Sequence, residues 1–404
     1  MPDTLRVPQD HPNLAAALAA SSPGDTVRIT GRTETGFLDT TRNVTITGGI
    51  IAGTDAVVMR LRGPVTLTDT RVENPNGHGV VCMGDSPHLK GVEIEVAETA
   101  IACGGDATPR IEQVKIVGCR NGLSVQDTAA PLVETLTVTA RGSGLLFTGE
   151  AGGTFTQVAV ISGQFAGVEI GASAHPRLVG VSVVASGTGG FFIHGQSRPE
   201  LYSCFAQRTT LDGLEVRGQA DPTVDGFTVE ESHKGGVLLQ EQARGTYMEL
   251  EVTGCLLPAL TVKDDAVVEL ERGVFRGGQQ IGVSVGDRAK VEAIDLLVTE
   301  NLGGAVRVTG DAALTLEGCR LTGNLAHALS ATERGRVAAQ GCQLTGNTGL
   351  GVEASLSAEV TLDACTLKDN RLGAGAARNR SALRLVGCAV DGELVAEPDA
   401  TLSS

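Results

Sequence analysis

Five residues in the middle of the sequence combine reactive side chains with a regular spacing. His194 and Arg217 are 23 positions apart, and Lys263 follows Arg217 by twice that distance. Glu169 and Glu215 are also separated by two such steps. An imidazole or a cationic side chain could take up a proton or stabilise developing negative charge, and a carboxylic acid could supply a proton. If the protein is an enzyme, these five residues are its candidate catalytic groups.

Apolar residues in the same stretch favour a binding surface instead. Six of the eleven aromatic residues fall between positions 165 and 227. We expect Phe192 and Leu238 to be exposed beside charged residues, which can mark an interaction patch. Alternating charges that only keep a stacked sheet soluble are the competing interpretation. The candidate binding residues are Phe192, His194, Tyr202, Phe205, Arg217 and Leu238.

These residues share one register with a repeat that runs through almost the whole chain. Small residues recur every 22 to 23 positions, at Ala100, Gly122, Gly144, Gly167, Gly190, Gly213, Gly236, Ala259, Gly282, Ala305, Ala328, Gly351 and Ala374. After each small residue, apolar and polar residues alternate, as in strands with one buried face. A fixed period of this length indicates a solenoid whose coils pack only on their neighbours. We therefore predict an all-β fold, a right-handed parallel β-helix of about 15 coils.

The same pattern divides the chain into three predicted segments. Residues 1–30 form an N-terminal cap, in which residues 13–21 make a short helix with Asn13 as its N-cap. Residues 31–392 form the parallel β-helix. Residues 393–404 lose the repeat and contain Pro398, which predicts a C-terminal cap or tail.

Three further ladders follow the 23-residue period. Cysteines recur on the inward position also held by Cys204, at Cys319, Cys342, Cys365 and Cys388. Because a metal site would need ligands close in sequence, as in C-x-x-C, we predict core thiols and no metal. Asparagines recur at one turn, where they could adopt the left-handed conformation and stack their amides, at Asn301, Asn324, Asn347 and Asn370. A third column looks like a structural ion-pair ladder, at Glu249, Arg272 and Asp295.

Composition narrows the classes of partner. The net charge of −15 and the lack of a Lys/Arg cluster argue against nucleic acid. The apolar runs are too short to span a bilayer, and positions 1–25 lack the basic and apolar stretches of a signal peptide. Nine cysteines at mostly inward positions suit reduced thiols, so we expect a cytoplasmic protein, with a secreted mature form as the alternative. No cofactor is predicted.

The segment from Val7-Pro8-Gln9-Asp10 through the alanine-rich helix to Pro23-Gly24-Asp25-Thr26-Val27, followed by these coils, resembles the pectate-lyase-like superfamily. The resemblance covers essentially the whole chain and implies a right-handed β-helix. That superfamily includes polysaccharide lyases, polygalacturonases, pectin esterases, sugar epimerases and non-catalytic modules. Because one fold serves many activities, the function has to be argued from the site.

Two short strings are similar to parts of catalytic motifs in that superfamily. Gly77-His78-Gly79 is similar to the Gly-His-Gly of polygalacturonases, and Gln126-Asp127-Thr128 to the Gln-Asp-Thr of pectin esterases. The companion aspartate and arginine motifs are missing or out of order in this sequence. By register Asp127 lies in a turn, where aspartate is common as a turn former. We interpret both strings as structural.

The sequence therefore favours a non-catalytic scaffold that presents a long sheet face to a protein partner. A protein is favoured over a glycan because few aromatic residues are present to stack on sugars. The alternative is a polysaccharide lyase or glycoside hydrolase acting on a uronic-acid polymer, and a purely structural rod is the third possibility. Acidic turns at Glu241, Asp264, Asp265 and Asp287 could bind calcium, but interleaved Arg and Lys residues compensate their charge.

Overall fold

The computed structural model describes residues 2–84 and 87–404, and for Ser162 only the backbone. The chain forms two compact units. Unit 1 comprises residues 1–192 and 196–200, and unit 2 comprises residues 193–195 and 201–404.

Unit 1 contains one short helix and a series of short strands. The helix is α1 (Leu14–Ala20). The strands are β1 (Thr4–Val7), β2 (Thr26–Ile29), β3 (Arg32–Thr35), β4 (Leu38–Thr40), β5 (Thr45–Thr47), β6 (Ile50–Gly53), β7 (Val57–Leu61), β8 (Thr66–Thr68), β9 (Arg71–Asn74), β10 (His78–Met83), β11 (His88–Lys90), β12 (Glu93–Val96), β13 (Thr99–Gly104), β14 (Arg110–Cys119), β15 (Asn121–Val125), β16 (Leu132–Ala140), β17 (Leu145–Phe147), β18 (Thr154–Ser162), β19 (Val168–Ile170), β20 (Arg177–Val179) and β21 (Ser182–Val184).

Unit 2 continues with strands of the same kind. Two strands include residues assigned to both units, β22 (Phe191–Ile193) and β23 (Glu200–Gln207). The others are β24 (Leu214–Val216), β25 (Thr223–Glu230), β26 (Val237–Leu239), β27 (Thr246–Thr253), β28 (Leu260–Val262), β29 (Val267–Glu271), β30 (Val274–Arg276), β31 (Val283–Val285), β32 (Lys290–Ile294), β33 (Leu297–Thr299), β34 (Val306–Val308), β35 (Ala313–Glu317), β36 (Arg320–Thr322), β37 (Leu329–Ala331), β38 (Arg336–Gln340), β39 (Gln343–Thr345), β40 (Val352–Ala354), β41 (Glu359–Asp363), β42 (Thr366–Lys368), β43 (Gly375–Ala377), β44 (Ala382–Val386), β45 (Ala389–Val390), β46 (Leu394–Ala396) and β47 (Thr401–Ser403).

Strands stack in parallel on the strands one coil before and one coil after. In unit 2, β28 pairs with β31 so that Leu260 faces Val283, an offset equal to the 23-residue period. Strands such as β24, β26 and β28 have three residues, and only the middle residue points outward. We call the sheet that they form the narrow sheet. The wide sheet contains the longer strands, such as β25 and β27. The predicted all-β parallel solenoid is therefore confirmed.

The described residues make about 17 turns of parallel β-solenoid, more than the 15 expected from the period. The extra turns come from short coils at the two ends of the sequence. Thr26 faces Thr45 and Arg32 faces Ile50, which are offsets of 19 and 18 positions. Near the C-terminus Ala382 faces Thr401, again an offset of 19. A search at the regular period misses such coils.

The inward positions match those expected from the alternation. Val168 and Ile170 in unit 1, and Leu214 and Val216 in unit 2, are fully buried. Phe147 and Phe155 meet edge to face, with ring centroids 4.9 Å apart. Apolar burial of this kind is the main stabilising contribution to such a fold.

The cysteine ladder lies in the core, as predicted. Cys319, Cys342 and Cys365 are at most 1% exposed, and Cys388 is half-buried. All are free thiols. Each Sγ donates to a carbonyl oxygen of the preceding coil, as Cys365 does to Ala339 at 3.5 Å.

The asparagine ladder is confirmed in its stacking but wrong in its backbone conformation. Asn301 Nδ2 donates to Asn324 Oδ1 at 3.1 Å, and Asn324 Nδ2 donates to Asn347 Oδ1 at 3.0 Å. The left-handed residue is the one before each asparagine, such as Gly323 at φ 68°. The amides turn inward to satisfy buried backbone groups, which fixes each turn on the next.

The ends of the described chain are ordered. Asn13 Oδ1 accepts from the Ala16 amide at 2.9 Å, so the predicted N-cap of α1 is present. Leu14 and Leu18 of α1 are buried. Residues 393–404 continue the two sheets, because β46 pairs with β43 and β47 pairs with β44. In the described residues, no helix has the length and hydropathy needed to cross a membrane.

Candidate binding surfaces

Four of the predicted site residues lie together on the narrow sheet of unit 2. Glu215 faces Leu238 across β24 and β26. Arg217 and Lys263 each follow a strand of this sheet by one residue, with Gln240 in the coil between them. Arg217 and Lys263 are therefore about 10 Å apart along the solenoid, two strand spacings. The register predicted this column correctly.

The Glu215 carboxylate has a partner within this surface. Its Oε1 accepts a hydrogen bond from Gln240 Nε2 at 2.8 Å. This bond joins the Glu215 side chain to the next coil. The arrangement offers a carboxylate and two cations on one face, in reach of a polar ligand.

Phe192 and Leu238 differ from the expectation that they are exposed. Both are half-buried, as are Glu169, His194 and Lys263, whereas Arg217 is exposed. Leu238 is flanked in register by Glu215 and Thr261, so the neighbouring coils shield its sides. Glu169 and Phe192 belong to unit 1, and His194 belongs to unit 2.

Phe205 and Tyr202 lie on β23 at half-buried positions that alternate with inward residues. Phe205 lines a groove of about 390 Å³ on the wide sheet of unit 2. We call this the bend groove, because it follows the line where each wide strand bends. Its lining residues are Ser203, Cys204, Phe205, Gly226, Thr228, Glu249, Leu250, Glu251, Arg272 and Val274.

One left-handed residue per coil produces the bend beneath the groove. Ser203, Gly226, Glu249 and Arg272 have φ between 50° and 71°. A left-handed residue inserts one extra position between inward side chains, so the strand changes direction there. The side chains that follow the bend, including Phe205 and Thr228, then form one wall of the groove.

Ion pairs occupy part of the bend groove. Arg272 Nε lies 3.3 Å from Glu249 Oε1, and Arg272 also pairs with Glu271. Arg276 Nη2 donates to Glu251 Oε1 at 3.0 Å. The Glu249–Arg272 part of the predicted ion-pair ladder is therefore confirmed. All of these groups are solvent-accessible, so each pair contributes little to stability.

The sequence did not identify the bend groove, although it contains a signal for it. Inward residues of the wide strands are separated by three and then two positions, as in Leu178, Val181 and Val183. The spacing of three marks the bend in the regular coils. That the bend is concave enough to form a groove depends on side-chain size, which the period does not show.

A second groove lies in unit 1 and was also not predicted. Its volume is about 550 Å³, and its charged lining residues are Arg32, Arg71, Arg141, Glu73 and Glu95. Arg71 Nε is 2.8 Å from Glu73 Oε1, and Arg141 Nη2 donates to the Ala97 carbonyl oxygen at 2.8 Å. The carboxylates thus neutralise much of the arginine charge.

The two motif-like strings have structural roles. His78 Nδ1 accepts from the Thr99 amide at 3.2 Å. A Cβ at Gly77 would lie 2.3 Å from the Ala56 carbonyl oxygen, so this position requires glycine. Asp127 has φ 60°, and its Oδ2 accepts from the Gly105 amide at 2.8 Å.

The acidic turns of unit 2 are bonded to the solenoid. Glu241 and Asp264 accept from backbone amides of the preceding coil, at 2.9 Å each. Asp265 forms a two-point ion pair with Arg288, at 2.6 and 2.7 Å. This ion pair lowers the pKa of Asp265. Among the described residues, no three His, Cys, Asp or Glu side chains are grouped so as to hold a metal ion.

The fold and these surfaces define a parallel β-solenoid protein. The chain belongs to the right handed beta helix region family, which matches residues 99–250 and 304–395, more than half of its length. None of the curated proteins matches the sequence.

Solved structures with distant similarity include two epimerases. The periplasmic alginate epimerase AlgG is 10% identical, with a TM-score of 0.43 over 87% of this chain and 78% of AlgG. The A-module of the Azotobacter vinelandii mannuronan C-5 epimerase AlgE6 is 12% identical, with a TM-score of 0.28 over 96% of this chain and 93% of the module. With identities and TM-scores this low, the similarities assign no activity to this chain.

Proposed function

We propose that this chain is a non-catalytic scaffold that binds a protein partner. The observation that carries the proposal is the bend groove of unit 2, where the Phe205 side chain lies among paired charges. Aromatic side chains that are partly exposed in a preformed depression are typical anchors of protein interfaces. The regular backbone bonding of the coils holds this depression in place, which reduces the entropy lost on binding.

The charge of this part of the chain indicates the chemistry of the partner. Residues 201–404 contain 18 Lys and Arg against 28 Asp and Glu, a net charge of −10 out of the total of −15. A partner surface rich in Lys and Arg would therefore be attracted at long range. Such association should weaken as salt rises.

The narrow sheet of unit 2 supplies a second part of the proposed surface. Arg217 and Leu238 remain its candidate binding residues. His194 and Tyr202 remain separate candidates in unit 2, and Phe192 remains a separate candidate in unit 1. We propose a cytoplasmic location, because buried thiols that form no disulfide suit a reducing compartment.

The proposal can be tested by capturing partners from native lysate on the immobilised full chain and then measuring their affinity directly. We expect Phe205→Ala to weaken binding about tenfold or more, as for an interface anchor. Ile294→Ala is the matched control, because Ile294 is 43% exposed on the wide sheet of unit 2 but does not line the groove. Equal affinity of both variants and the unaltered chain would contradict a binding role for the groove.

The enzymatic alternative makes a different prediction for the same protein. A lyase acting on a uronic-acid polymer would release unsaturated products that absorb ultraviolet light. Release of such products by the full chain, abolished in an Arg217→Ala variant, would overturn the scaffold proposal.

A further inference from the structure

The ladder of cysteines in unit 2 changes its environment at its C-terminal end. Cys319, Cys342 and Cys365 are at most 1% exposed, whereas Cys388 is half-buried. The two residues after Cys388 form β45, and both are exposed. Among the four thiols of this ladder, Cys388 is therefore the one that a small solute can reach.

Cys365 lies directly against Cys388 in the adjacent coil. The Ala389 amide donates to the Cys365 carbonyl oxygen at 2.8 Å, so the two cysteines occupy equivalent positions. Stacked positions in a parallel sheet are about 4.8 Å apart, within the Cα separation that a disulfide spans. Both Sγ atoms point along the same direction, because Cys365 and Cys388 donate to Ala339 and Leu362, also equivalent positions.

A disulfide requires the two Sγ atoms to turn toward each other, and the coil of Cys388 can adjust more easily than the coils inside the solenoid. The β45 strand has two residues, whereas the wide strands from β29 to β44 have three to five residues each. The Cys342 amide donates to Cys365 Sγ at 3.4 Å, which ties the inner thiol into the core.

We propose that Cys388 is an oxidation site at which a hydroperoxide forms a disulfide between Cys388 and Cys365. The Cys388 thiolate attacks the peroxide, so that an S–O bond forms, the O–O bond breaks and an alcohol or water leaves. The Cys365 sulfur then attacks the sulfenic acid, so that the S–S bond forms and water leaves. Two thiols are oxidised for each peroxide reduced.

The rate of the second step, the attack of Cys365 on the sulfenic acid of Cys388, should depend on pH. A hydrogen bond with the Cys342 thiol, together with burial, raises the pKa of Cys365. Its reactive thiolate is therefore scarce near neutral pH, and its fraction grows as pH rises. Disulfide formation should become faster with pH, whereas sulfenic acid accumulates at lower pH.

The test uses the reduced full chain and hydrogen peroxide. Intact mass should fall by about 2 Da, and peptide mapping after alkylation should find one cross-link, Cys365 to Cys388. The Cys388→Ser variant should keep its full mass and its folded circular-dichroism spectrum. Cys319→Ser, at the far end of the ladder, should still form the cross-link.

Three results would overturn this inference. One is an absence of any reaction of Cys388 with peroxide. Another is oxidation of Cys388 by about 32 Da to sulfinic acid without a cross-link. The third is cross-linking of Cys319 to Cys342 as fast as that of Cys365 to Cys388, since this would show that exposure does not select the pair. None of these outcomes bears on partner binding at the bend groove.

Discussion

At the scale of single residues, the small residues that recur every 22 to 23 positions show how closely side chains of one coil pack. Gly167 is an example. A Cβ built at Gly167 would lie 2.2 Å from Val183 Cγ1 and 2.8 Å from its Cγ2. Val183 is fully buried, so its methyl groups have no free space to enter. Residue 167 does not need a left-handed backbone, and the constraint is therefore steric.

We predict that Gly167→Ala lowers the free energy of unfolding by about 1–3 kcal/mol through overpacking. Urea unfolding followed by circular dichroism measures this change. Val183→Ala should itself destabilise by about 2 kcal/mol, because it leaves a cavity. In a chain that already carries Val183→Ala, Gly167→Ala should lower the free energy of unfolding by less, because the clashing methyl groups are gone. Additive effects of the two substitutions would show that the contact is not the cause.

At the scale of elements, the turns after the narrow sheet are joined by alternating charges. Asp265 pairs with Arg288, and Asp311 pairs with Arg334 in the same column. Each arginine lowers the pKa of the carboxyl group that it contacts. All four side chains are largely exposed, so salt and solvent screen these pairs.

The depressed pKa values give a definite pH dependence. The stabilisation is fully present above the ordinary aspartate pKa, near 4, and is lost as pH falls through the lower folded-state value. We predict that Asp265→Asn lowers the melting temperature slightly at pH 7 and that the difference vanishes in strong acid. Thermal melts of both proteins between pH 2 and pH 7 measure it, and 0.5 M salt should shrink it. A difference in melting temperature that stays constant with pH would rule out the ion pair as its origin. Glu292→Gln serves as a control, because Glu292 is also exposed.

The period predicted these elements well where the coils are regular. It located the buried face of the regular strands, the stacked cysteines, the column of Arg217 and Lys263 and the neighbouring column of Glu215 and Leu238. It missed the shorter coils near the two ends of the sequence, because their side chains fall out of phase with the period. It also assigned the left-handed conformation to the asparagines, which was wrong. The burial of their amides follows from packing and not from turn chemistry. The bend groove combines side chains from four coils, and no single repeat contains it.

At the scale of the whole molecule, a solenoid is stabilised by contacts between neighbouring coils. Each unit has its own set of such contacts, and most of them join residues one period apart. Stability in this kind of architecture is approximately the sum of terms from each coil and each interface between coils. A local defect should therefore loosen nearby coils first and leave distant coils unchanged.

Asn324 is a suitable site for testing this expectation. It is 1% exposed, and its Nδ2 donates to the Val298 carbonyl oxygen at 2.9 Å. Its Oδ1 accepts from both the amide and Nδ2 of Asn301, at 3.1 Å each. Asn324→Ala would remove these bonds and leave buried polar groups of two neighbouring coils without partners, at a cost of about 2–4 kcal/mol.

We predict that this substitution speeds amide hydrogen exchange in residues 275–370 of unit 2 and leaves residues 2–180 of unit 1 unchanged. Exchange followed by mass spectrometry of peptides resolves the two regions. Gln343→Ala is the control, because Gln343 is exposed in the adjacent coil and should alter neither region. Uniformly faster exchange through both units would contradict the prediction, because additive contacts between coils confine the loss of protection to neighbouring coils. The solenoid would then open as one cooperative body.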